Sequence, residues 1–482
     1  MSGVLSMYTA VAKGVMRTSA AVGRAVAERV GSAQLAADGR RRAVGPFDHR
    51  GLYQGSRAPG ALTTGEFPLG RFVSVKGRRG APVGLSDAQL RLHACVVGPS
   101  GAGKTRSVIV PWTVAALRCG YSVVCVDVKG DLLDTVRAEV QAQGNPLGVR
   151  ARKIDYTDPA RSARWNWLQS IDSDRAVDSA VQSIIGKQPP PKADPYFFHL
   201  DGQVLRGLLE LAQASPNRHK WTAGKLLGLL RDQAQLDLLL QRYPHNPGAA
   251  RLRDLPYLPP DDFAKRVTGV VVRLDALARP SVEAVTTNGT LTTPDILTER
   301  QLLSVVAPLQ DGQMAQSLSS LFINDLLFRV YNRFSGYQGP PVMLILDEAA
   351  QLADRVDYKN LLSVARSAGM GIVIALQDVA QFSDPAERSV ALANCDVYVS
   401  FSGVSQESAR FLSERLGKHT VETTTVARTA QGFGYQTSTS TGQQTVPVLG
   451  EREIMNIPFG GRPAIVHARS TAAVPFLVDF AR

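Results

Sequence analysis

The 482-residue chain has few cysteines, no histidine metal motif and no long apolar run, and each absence argues against a class of protein. Its four cysteines form no CxxC pair, which argues against a zinc or disulfide framework and favours buried thiols. The seven histidines form no HExxH motif, so no metalloenzyme is indicated. No apolar run reaches the ~18 residues that a membrane-spanning helix needs.

The amino-terminal region also has no cleavable signal pattern, because Lys13, Arg17 and Arg24 are scattered among its apolar residues. These features predict a cytoplasmic protein. Hydrophobic residues make up 44 % of the chain and charged residues 20 %, which is typical of a globular protein rather than a disordered one. The length predicts two or three lobes.

Positive charge is concentrated at the front of the chain. Residues 1–90 hold 13 basic and 5 acidic side chains, so they carry +8 of the formal net charge of +12. Residues 4–30 show an amphipathic helical pattern, which is compatible with a helix on a membrane or partner and with one packed on the protein's own body. We expect residues 1–58 to form this helix and a linker, peripheral to the inner face of the membrane.

The rest of the chain alternates predicted strands and helices, with a purely helical stretch in the middle. The predicted strands include Val342–Leu346 and Val397–Phe401, and the predicted helices include Leu226–Leu240 and Ser107–Leu117, the second with a kink at Pro111. The fold class predicted is α/β, with a mainly parallel sheet interrupted by an all-α insertion. The expected divisions are an α/β domain in two parts, 59–172 and 284–482, and the insertion at 173–283. Residues 421–445, rich in Thr, Ser, Gly and Gln, predict a hairpin or a mobile loop.

A phosphate-binding motif follows one of the predicted strands and precedes a predicted helix, because the sequence GPSGAGKT fits GxxxxGK[ST]. Its glycines let successive backbone N–H groups turn toward phosphates, and the helix amino terminus adds a favourable dipole. We expect Lys104 to bridge the β- and γ-phosphates of ATP and the Thr105 hydroxyl to bind Mg²⁺. The predicted nucleotide-binding residues are Gly98, Pro99, Ser100, Gly101, Ala102, Gly103, Lys104 and Thr105.

A second motif supplies the acids that such a site needs. The apolar run Val342–Leu346 ends in Asp347 and Glu348, where a buried strand emerges. Asp347 is expected to hold Mg²⁺ and Glu348 to polarise the attacking water, which favours hydrolysis. Asp127 is a competing candidate for the acid, but no second acid follows it.

Two further polar residues are candidates for catalysis. Gln377 ends a predicted strand, where an amide can lie beside the γ-phosphate. Arg366 lies past the catalytic strand, where ring-forming ATPases often present an arginine to the neighbouring subunit's nucleotide. The residues alone leave a plain surface arginine as the alternative.

The order of these motifs resembles that of the type IV coupling proteins, the TraG/TraD-type conjugative ATPases related to the FtsK and HerA DNA pumps. GPSGAGKT is followed by DVKGDL, SARWNWL, LILDEAAQL, ARSAGMGIVIALQ and VSFSG over roughly residues 68–480. The resemblance implies RecA-like domains in a hexameric ring around DNA, with the all-α insertion meeting relaxosome or substrate proteins. It places the family's trans-acting arginine on Arg366 and its third-motif glutamine on Gln377.

The resemblance also leaves open questions about docking and cargo. Family members usually begin with two transmembrane helices that join a secretion channel, and the sequence shows no such helices. The expected function is an ATP-hydrolysing motor that drives conjugative transfer of DNA or a nucleoprotein. The alternatives are a receptor ATPase for protein effectors and a nucleotide-gated scaffold with little turnover, although Glu348 argues against the scaffold. Lys129 is a candidate contact to nucleotide or to DNA in the pore, or a capping residue.

Overall fold

The computed structural model describes residues 51–482 apart from 63–64, 145–147, 191, 193, 336–338, 383, 432–433, 473 and 482. The predicted helix at 4–30 lies outside the described residues. Residues 51–58 belong to the same compact unit as the rest of the described chain. Leu52 is buried, and the Tyr53 amide donates to the Pro475 carbonyl at 2.8 Å. No helix of the described residues is long and apolar enough to cross a membrane.

One large twisted sheet organises the described residues. The strands, in chain order, are β1 (Phe67–Val73), β2 (Arg79–Leu85), β3 (Ala94–Val97), β4 (Ser122–Asp127), β5 (Arg150–Ile154), β6 (Gln301–Val306), β7 (Val342–Leu346), β8 (Met370–Leu376), β9 (Val397–Phe401), β10 (Lys418–Gln431), β11 (Gly434–Pro447), β12 (Pro463–Ala468) and β13 (Phe476–Asp479). Eleven of these described strands form the sheet in the order β2-β1-β13-β12-β9-β3-β8-β7-β4-β6-β5, and β10 pairs with β11 alone.

The helices cover the sheet and form the middle of the chain. They are α1 (Asp87–Leu90), α2 (Val110–Arg118), α3 (Leu132–Ala142), α4 (Asp174–Ile185), α5 (Pro195–Ala214), α6 (Ala223–Arg231), α7 (Gln233–Arg242), α8 (Pro247–Leu252), α9 (Pro260–Leu277), α10 (Pro280–Thr286), α11 (Thr293–Thr298), α12 (Gly312–Tyr331), α13 (Tyr358–Val364), α14 (Pro385–Ala393), α15 (Gln406–Leu416) and α16 (Glu451–Met455).

The central part of the sheet is parallel and lies inside the protein. The seven strands from β9 to β5 in the sheet order pair in parallel, whereas those from β2 to β9 pair antiparallel. Every residue of β4, β6, β7 and β8 is buried, as expected for parallel strands with helices on both faces. The predicted α/β class with a mainly parallel sheet is therefore confirmed.

Within the described part of the chain, every element between β5 and β6 is helical. The two longest helices of this segment, α5 and α9, are joined by an ion pair. The Arg273 guanidinium lies 2.7 Å from the mostly buried Asp201 carboxylate. Helix α4 instead contacts the segment that follows β7, because the Arg355 guanidinium of that segment donates to the Ser183 and Ile184 carbonyls at 2.7 Å. The limits of an insertion domain at 173–283 remain a prediction.

Two helical predictions differ from the structure in detail. The predicted helix Leu226–Leu240 is two helices, because Asp232 leaves the helical conformation and its side chain caps α7. Pro111, predicted to kink a helix, follows a π-helical turn at Thr105–Ile109, where the hydrogen-bond ladder widens before the missing proline N–H.

Candidate functional site: a nucleotide site at the carboxyl edge of the sheet

The glycine-rich loop joins β3 to the turn that begins helix α2. Gly101 and Gly103 have φ angles of +80° and +95°, which strain any residue with a Cβ atom. At Gly98 a Cβ atom would lie 2.9 Å from the Cβ of Phe401 on the neighbouring strand β9. These three positions therefore need glycine for the loop to close over phosphate groups.

Lys104 is buried at the base of this loop. Its ammonium group donates to the Gly98 carbonyl at 2.5 Å and to the Pro99 carbonyl at 3.3 Å. Burial lowers its pKa, and the nearby carboxylates of Glu348 and Asp347 oppose that shift. The lysine charge is thus held within electrostatic reach of both predicted acids.

Asp347 lies at the carboxyl end of β7, in the middle of the sheet. Its side chain is buried, and burial together with the neighbouring Glu348 carboxylate raises its pKa to about 6. Lys104 and Lys129 act in the opposite direction. A carboxylate that is costly to ionise in this way is well suited to a divalent cation, which removes the charge repulsion.

Glu348 follows in a left-handed backbone conformation, with φ of 59° and ψ of 49°. Such a conformation is uncommon for a residue other than glycine, and strained residues cluster at functional sites. The Gln377 side-chain amide, at the end of β8, donates to Glu348 Oε1 at 2.7 Å. Glu348 Oε2 is buried and has no hydrogen-bond partner among the described residues, so it remains available to accept a proton.

Asp127, the competing acid, has a different set of partners. Its Oδ1 accepts hydrogen bonds from the Lys129 and Gly130 amides, and its Oδ2 accepts one from the Leu132 amide at 2.8 Å. Oδ1 thus holds the turn after β4, and Oδ2 holds the first amide of α3. This arrangement supports Asp347, rather than Asp127, as the metal-facing acid.

Arg366 does not join this cluster in its own chain. It is exposed and lies in the turn Ala365–Ala368, just before β8, whereas Gln377 lies just after β8. Strand β8 has seven residues, at ~3.3 Å each. Arg366 and the glycine-rich loop therefore lie at opposite ends of the parallel strands, roughly 20 Å apart. Arg410 and Arg415, the next arginines that could serve a neighbouring subunit if Arg366 did not, have local partners. These are Glu414 at 3.2 Å and the Tyr398 hydroxyl at 3.1 Å respectively.

The sequence did not indicate a second basic residue beside the loop. Arg462, just before β12, lies with Nη1 3.1 Å from the point where a Cβ atom of Gly103 would be, and 3.5 Å from the Ser107 hydroxyl. It borders a cavity of about 850 Å³ together with Glu139 of α3 and Phe480. Only the folded sheet could reveal this neighbour, because Ser107 and Arg462 are 355 residues apart.

The side chains present fit a magnesium–nucleotide complex. Thr105 begins the turn after Lys104, and Asp347 supplies one carboxylate near Lys104. No group of three or more His, Cys, Asp or Glu in the described residues could form a metal site by itself. Mg²⁺ is commonly held by one or two protein ligands together with substrate phosphates, so this sparse set suits it.

Comparison with known proteins identifies relatives of the chain. The family model described as "Type IV secretory system Conjugative DNA transfer" matches residues 40–474. A probable conjugal transfer protein TraG of Sinorhizobium fredii is 23 % identical over 390 residues. That alignment covers 76 % of this chain, and the chain spans 58 % of the length of that relative.

Solved structures with the same fold carry related names. The bacterial conjugative coupling protein TrwBdeltaN70, in an unbound form, superposes with a TM-score of 0.61 at 17 % identity, covering 86 % of this chain and 90 % of that one. The plasmid coupling protein TrwB in complex with ADP and Mg²⁺ has a TM-score of 0.59 at 17 % identity, covering 85 % and 88 %. VirB4 of Thermoanaerobacter pseudethanolicus has a TM-score of 0.52 at 13 % identity, covering 88 % and 98 %.

The family match covers most of the chain, and the motifs from Gly98 to Gln377 fall within it at the carboxyl edge of one sheet. The chain therefore belongs to the type IV secretory system conjugative DNA transfer family, the family of the coupling proteins.

Proposed function

We propose that the protein is an ATP-hydrolysing motor that moves DNA, or a nucleoprotein, during conjugative transfer. The observation that carries this proposal is the buried Oε2 of Glu348, which has no partner among the residues that the structure describes and is held near Lys104 and Asp347 by the Gln377 amide. A site that only binds nucleotide has little need of a positioned carboxylate with a free acceptor.

Each residue has a distinct task in this proposal. The loop amides and the Lys104 ammonium hold the β- and γ-phosphates, while Thr105 and Asp347 hold Mg²⁺, which neutralises phosphate charge. Glu348 Oε2 accepts a hydrogen bond from the attacking water, and Gln377 keeps the carboxylate oriented. Ribose and base occupy the cavity bordered by Arg462, close to the start of α2.

The position of Arg366 supports a shared active site. An arginine that cannot reach its own glycine-rich loop can reach that of a neighbour in a ring, where it stabilises charge on the γ-phosphate. We propose a hexameric ring as the assembly. The transported partners are DNA, bound through its backbone, and relaxosome or substrate proteins that meet the helical segment.

Attachment to the membrane is proposed for residues 1–49, which lie outside the described residues. Their basic, amphipathic pattern suits an anionic lipid surface or a membrane-embedded channel partner. Removal of these residues, keeping Leu52 and Tyr53 in place, is expected to abolish sedimentation with acidic liposomes. Unchanged sedimentation would eliminate the tether.

The function is tested by ATP hydrolysis with and without DNA. Wild-type protein should hydrolyse ATP, and DNA should stimulate the rate more strongly at low salt than at high salt, because backbone contacts release counterions. Glu348→Gln should bind ATP but lose about 10²–10⁴-fold in turnover, the usual contribution of a general base. Glu414→Gln, at an exposed helix position, is the matched control.

Three results would contradict the proposal in different ways. Nucleotide binding without turnover would support the scaffold alternative. Turnover stimulated by a secreted protein but not by DNA would support the effector receptor. Unchanged turnover in Glu348→Gln would remove this carboxylate from the chemistry.

A further inference from the structure

A second concentration of positive charge lies far along the sheet from the nucleotide site. Strand β5 is the last strand in the sheet order, and its sequence RARKI carries three basic residues. Charged side chains on edge strands commonly prevent pairing with other chains, so charge alone does not define a site. The surroundings of β5 supply further observations.

The basic residues of β5 border a concave surface. A cavity of about 280 Å³ is lined by five basic side chains and one acidic side chain, which are Arg137, Arg150, Arg152, Lys153, Arg161 and Asp134. We refer to this cavity and these six residues as the edge-strand cleft. No aromatic side chain lines it within the described residues, so a base has no stacking partner there.

Two of the cations in the edge-strand cleft are neutralised by neighbours. Lys153 lies 2.8 Å from Asp155, and Arg137 lies 3.4 Å from Asp134. A third cation, Arg161, faces Asp158 at 3.9 Å with 83 % of its side chain exposed, which is a weak pair.

Arg150 and Arg152 hold the remaining positive charge. The Arg150 side chain is exposed and makes no hydrogen bond or ion pair with the described residues. The cleft therefore has an excess of about two positive charges, on Arg150 and Arg152, and Arg161 is only weakly paired.

Arg152 is fixed and only partly compensated. Its guanidinium donates to the Gln301 side chain at 2.6 Å and to the Thr290 carbonyl at 3.4 Å. Its Nε is buried and has no partner in the described part of the chain. Burial and the charge of Arg150 lower its pKa more than the carboxylates of Asp295 and Glu299 raise it, so a bound anion would stabilise the protonated form.

We infer that the edge-strand cleft binds the phosphodiester backbone of nucleic acid without reading sequence. This inference rests on the proposed function, because it assumes that DNA is the cargo. Guanidinium groups match phosphate oxygens in geometry and stay charged at all relevant pH values. The absence of aromatic lining favours contact through charge rather than through bases.

Helix α3 connects this cleft to the nucleotide site. The charge of Asp127 raises the pKa of Asp347, and Asp127 Oδ2 accepts a hydrogen bond from the Leu132 amide at the start of α3. Glu139 of the same helix borders the cavity beside the glycine-rich loop. Asp134 and Arg137 of the same helix line the edge-strand cleft. DNA in the cleft therefore contacts a helix that also borders the nucleotide cavity.

The test uses the full chain and a fluorescent oligothymidine of about 30 nucleotides, longer than the ~4–16 nucleotides that one binding module covers. Arg150→Gln/Arg161→Gln removes two exposed cations of the cleft. Arg242→Gln/Arg253→Gln removes two exposed cations from the helical segment and is the matched control. Equal thermal unfolding midpoints of all three proteins establish that they are folded.

Fluorescence anisotropy over about 50–200 mM salt gives the slope of log affinity against log salt. Two lost phosphate contacts should make the slope of the cleft variant less negative by about 1.4, at ~0.7 per single-strand contact, while the control keeps the wild-type slope. Polyglutamate should compete far less well than unlabelled oligothymidine for the wild type.

Each contrary result has a separate meaning. A cleft variant with the same slope and affinity as the control overturns this inference and leaves the proposed function intact. Equal competition by polyglutamate overturns the assignment to phosphodiesters and indicates an acidic protein partner. If the wild-type protein does not bind oligothymidine and DNA does not stimulate its ATP hydrolysis, both the inference and the DNA-motor function are overturned.

Discussion

Asp347 is buried beside another carboxylate in the middle of the sheet, so its ionisation costs free energy in the nucleotide-free protein. Its pKa is raised to about 6, mainly by burial and then by Glu348. The folded protein consequently binds a proton more tightly at this position than the unfolded chain does. The stabilisation from protonation is complete below the unfolded pKa near 4 and is lost as the pH rises through 6.

Replacement of this acid should therefore stabilise the nucleotide-free protein. Asp347→Asn is expected to raise the free energy of unfolding by about 3 kcal/mol at pH 8 and by about half of that at pH 5. Urea unfolding at both pH values measures the difference. Asp254→Asn, whose side chain is 92 % exposed, is the control and should change little at either pH. A variant less stable than wild type at pH 8 would contradict the burial argument.

Local sequence was sufficient to predict the glycine-rich loop and the tandem acids, because each consists of neighbouring residues with fixed backbone requirements. The contact between Gln377 and Glu348 was within reach, since both end parallel strands of one sheet. Arg462 was not, because its place beside Gly103 depends on the antiparallel end of the sheet, which brings the last strands back to the first.

Among the elements, buried parallel strands were the easiest to predict. The predicted strands Val342–Leu346 and Val397–Phe401 have the bounds that the structure gives. The first is an uninterrupted apolar run that ends at Asp347, and the second is apolar except for Ser400 and lies between Asp396 and Ser402. The pairing of β1 with β13 could not be predicted, since the two strands are almost the whole chain apart. The break at Asp232 was missed because leucines continue on both sides of a capping residue.

The helical segment offers a prediction at the level of elements. Helices α5 to α9 are the part to remove, because α4 contacts the segment that follows β7 through Ser183 and Arg355. Replacement of residues 194–278 by a flexible Gly–Ser linker should leave ATP binding intact and abolish stimulation by relaxosome or substrate proteins. Isothermal titration with ATP and ATPase assays with those proteins provide the measurement.

The outcome depends on a folded variant, which circular dichroism and a cooperative thermal transition establish. Loss of ATP binding in that folded variant would make α5 to α9 part of the nucleotide-binding core. Unchanged stimulation by the partner proteins would remove the recognition role from these helices.

For the whole molecule, Arg366 is the residue that links chemistry to assembly. The glycine-rich loop, the tandem acids and Gln377 share one edge of the sheet, and Arg366 lies at the other. Within the described residues, a single chain therefore places Arg462 beside the glycine-rich loop but leaves Arg366 out of reach of the phosphates. An arginine supplied by a neighbour can be worth about 10³-fold or more in turnover.

Mixing two inactive variants tests this shared site. Arg366→Ala and Glu348→Gln should each bind ATP and barely hydrolyse it. In equal mixtures, about one site in four pairs an intact Glu348 with an intact Arg366 from the neighbour, the product of two probabilities of one half, so partial activity should return. No recovery in confirmed mixed oligomers would remove Arg366 from the chemistry.

Movement along DNA is measured most directly by ATP-driven displacement of streptavidin from the end of a biotinylated DNA. A motor that moves along DNA should displace streptavidin with ATP and Mg²⁺, and should fail with ADP, without Mg²⁺ and in the Glu348→Gln variant. DNA-stimulated ATP hydrolysis that leaves streptavidin in place at every salt concentration and from either DNA end would contradict translocation.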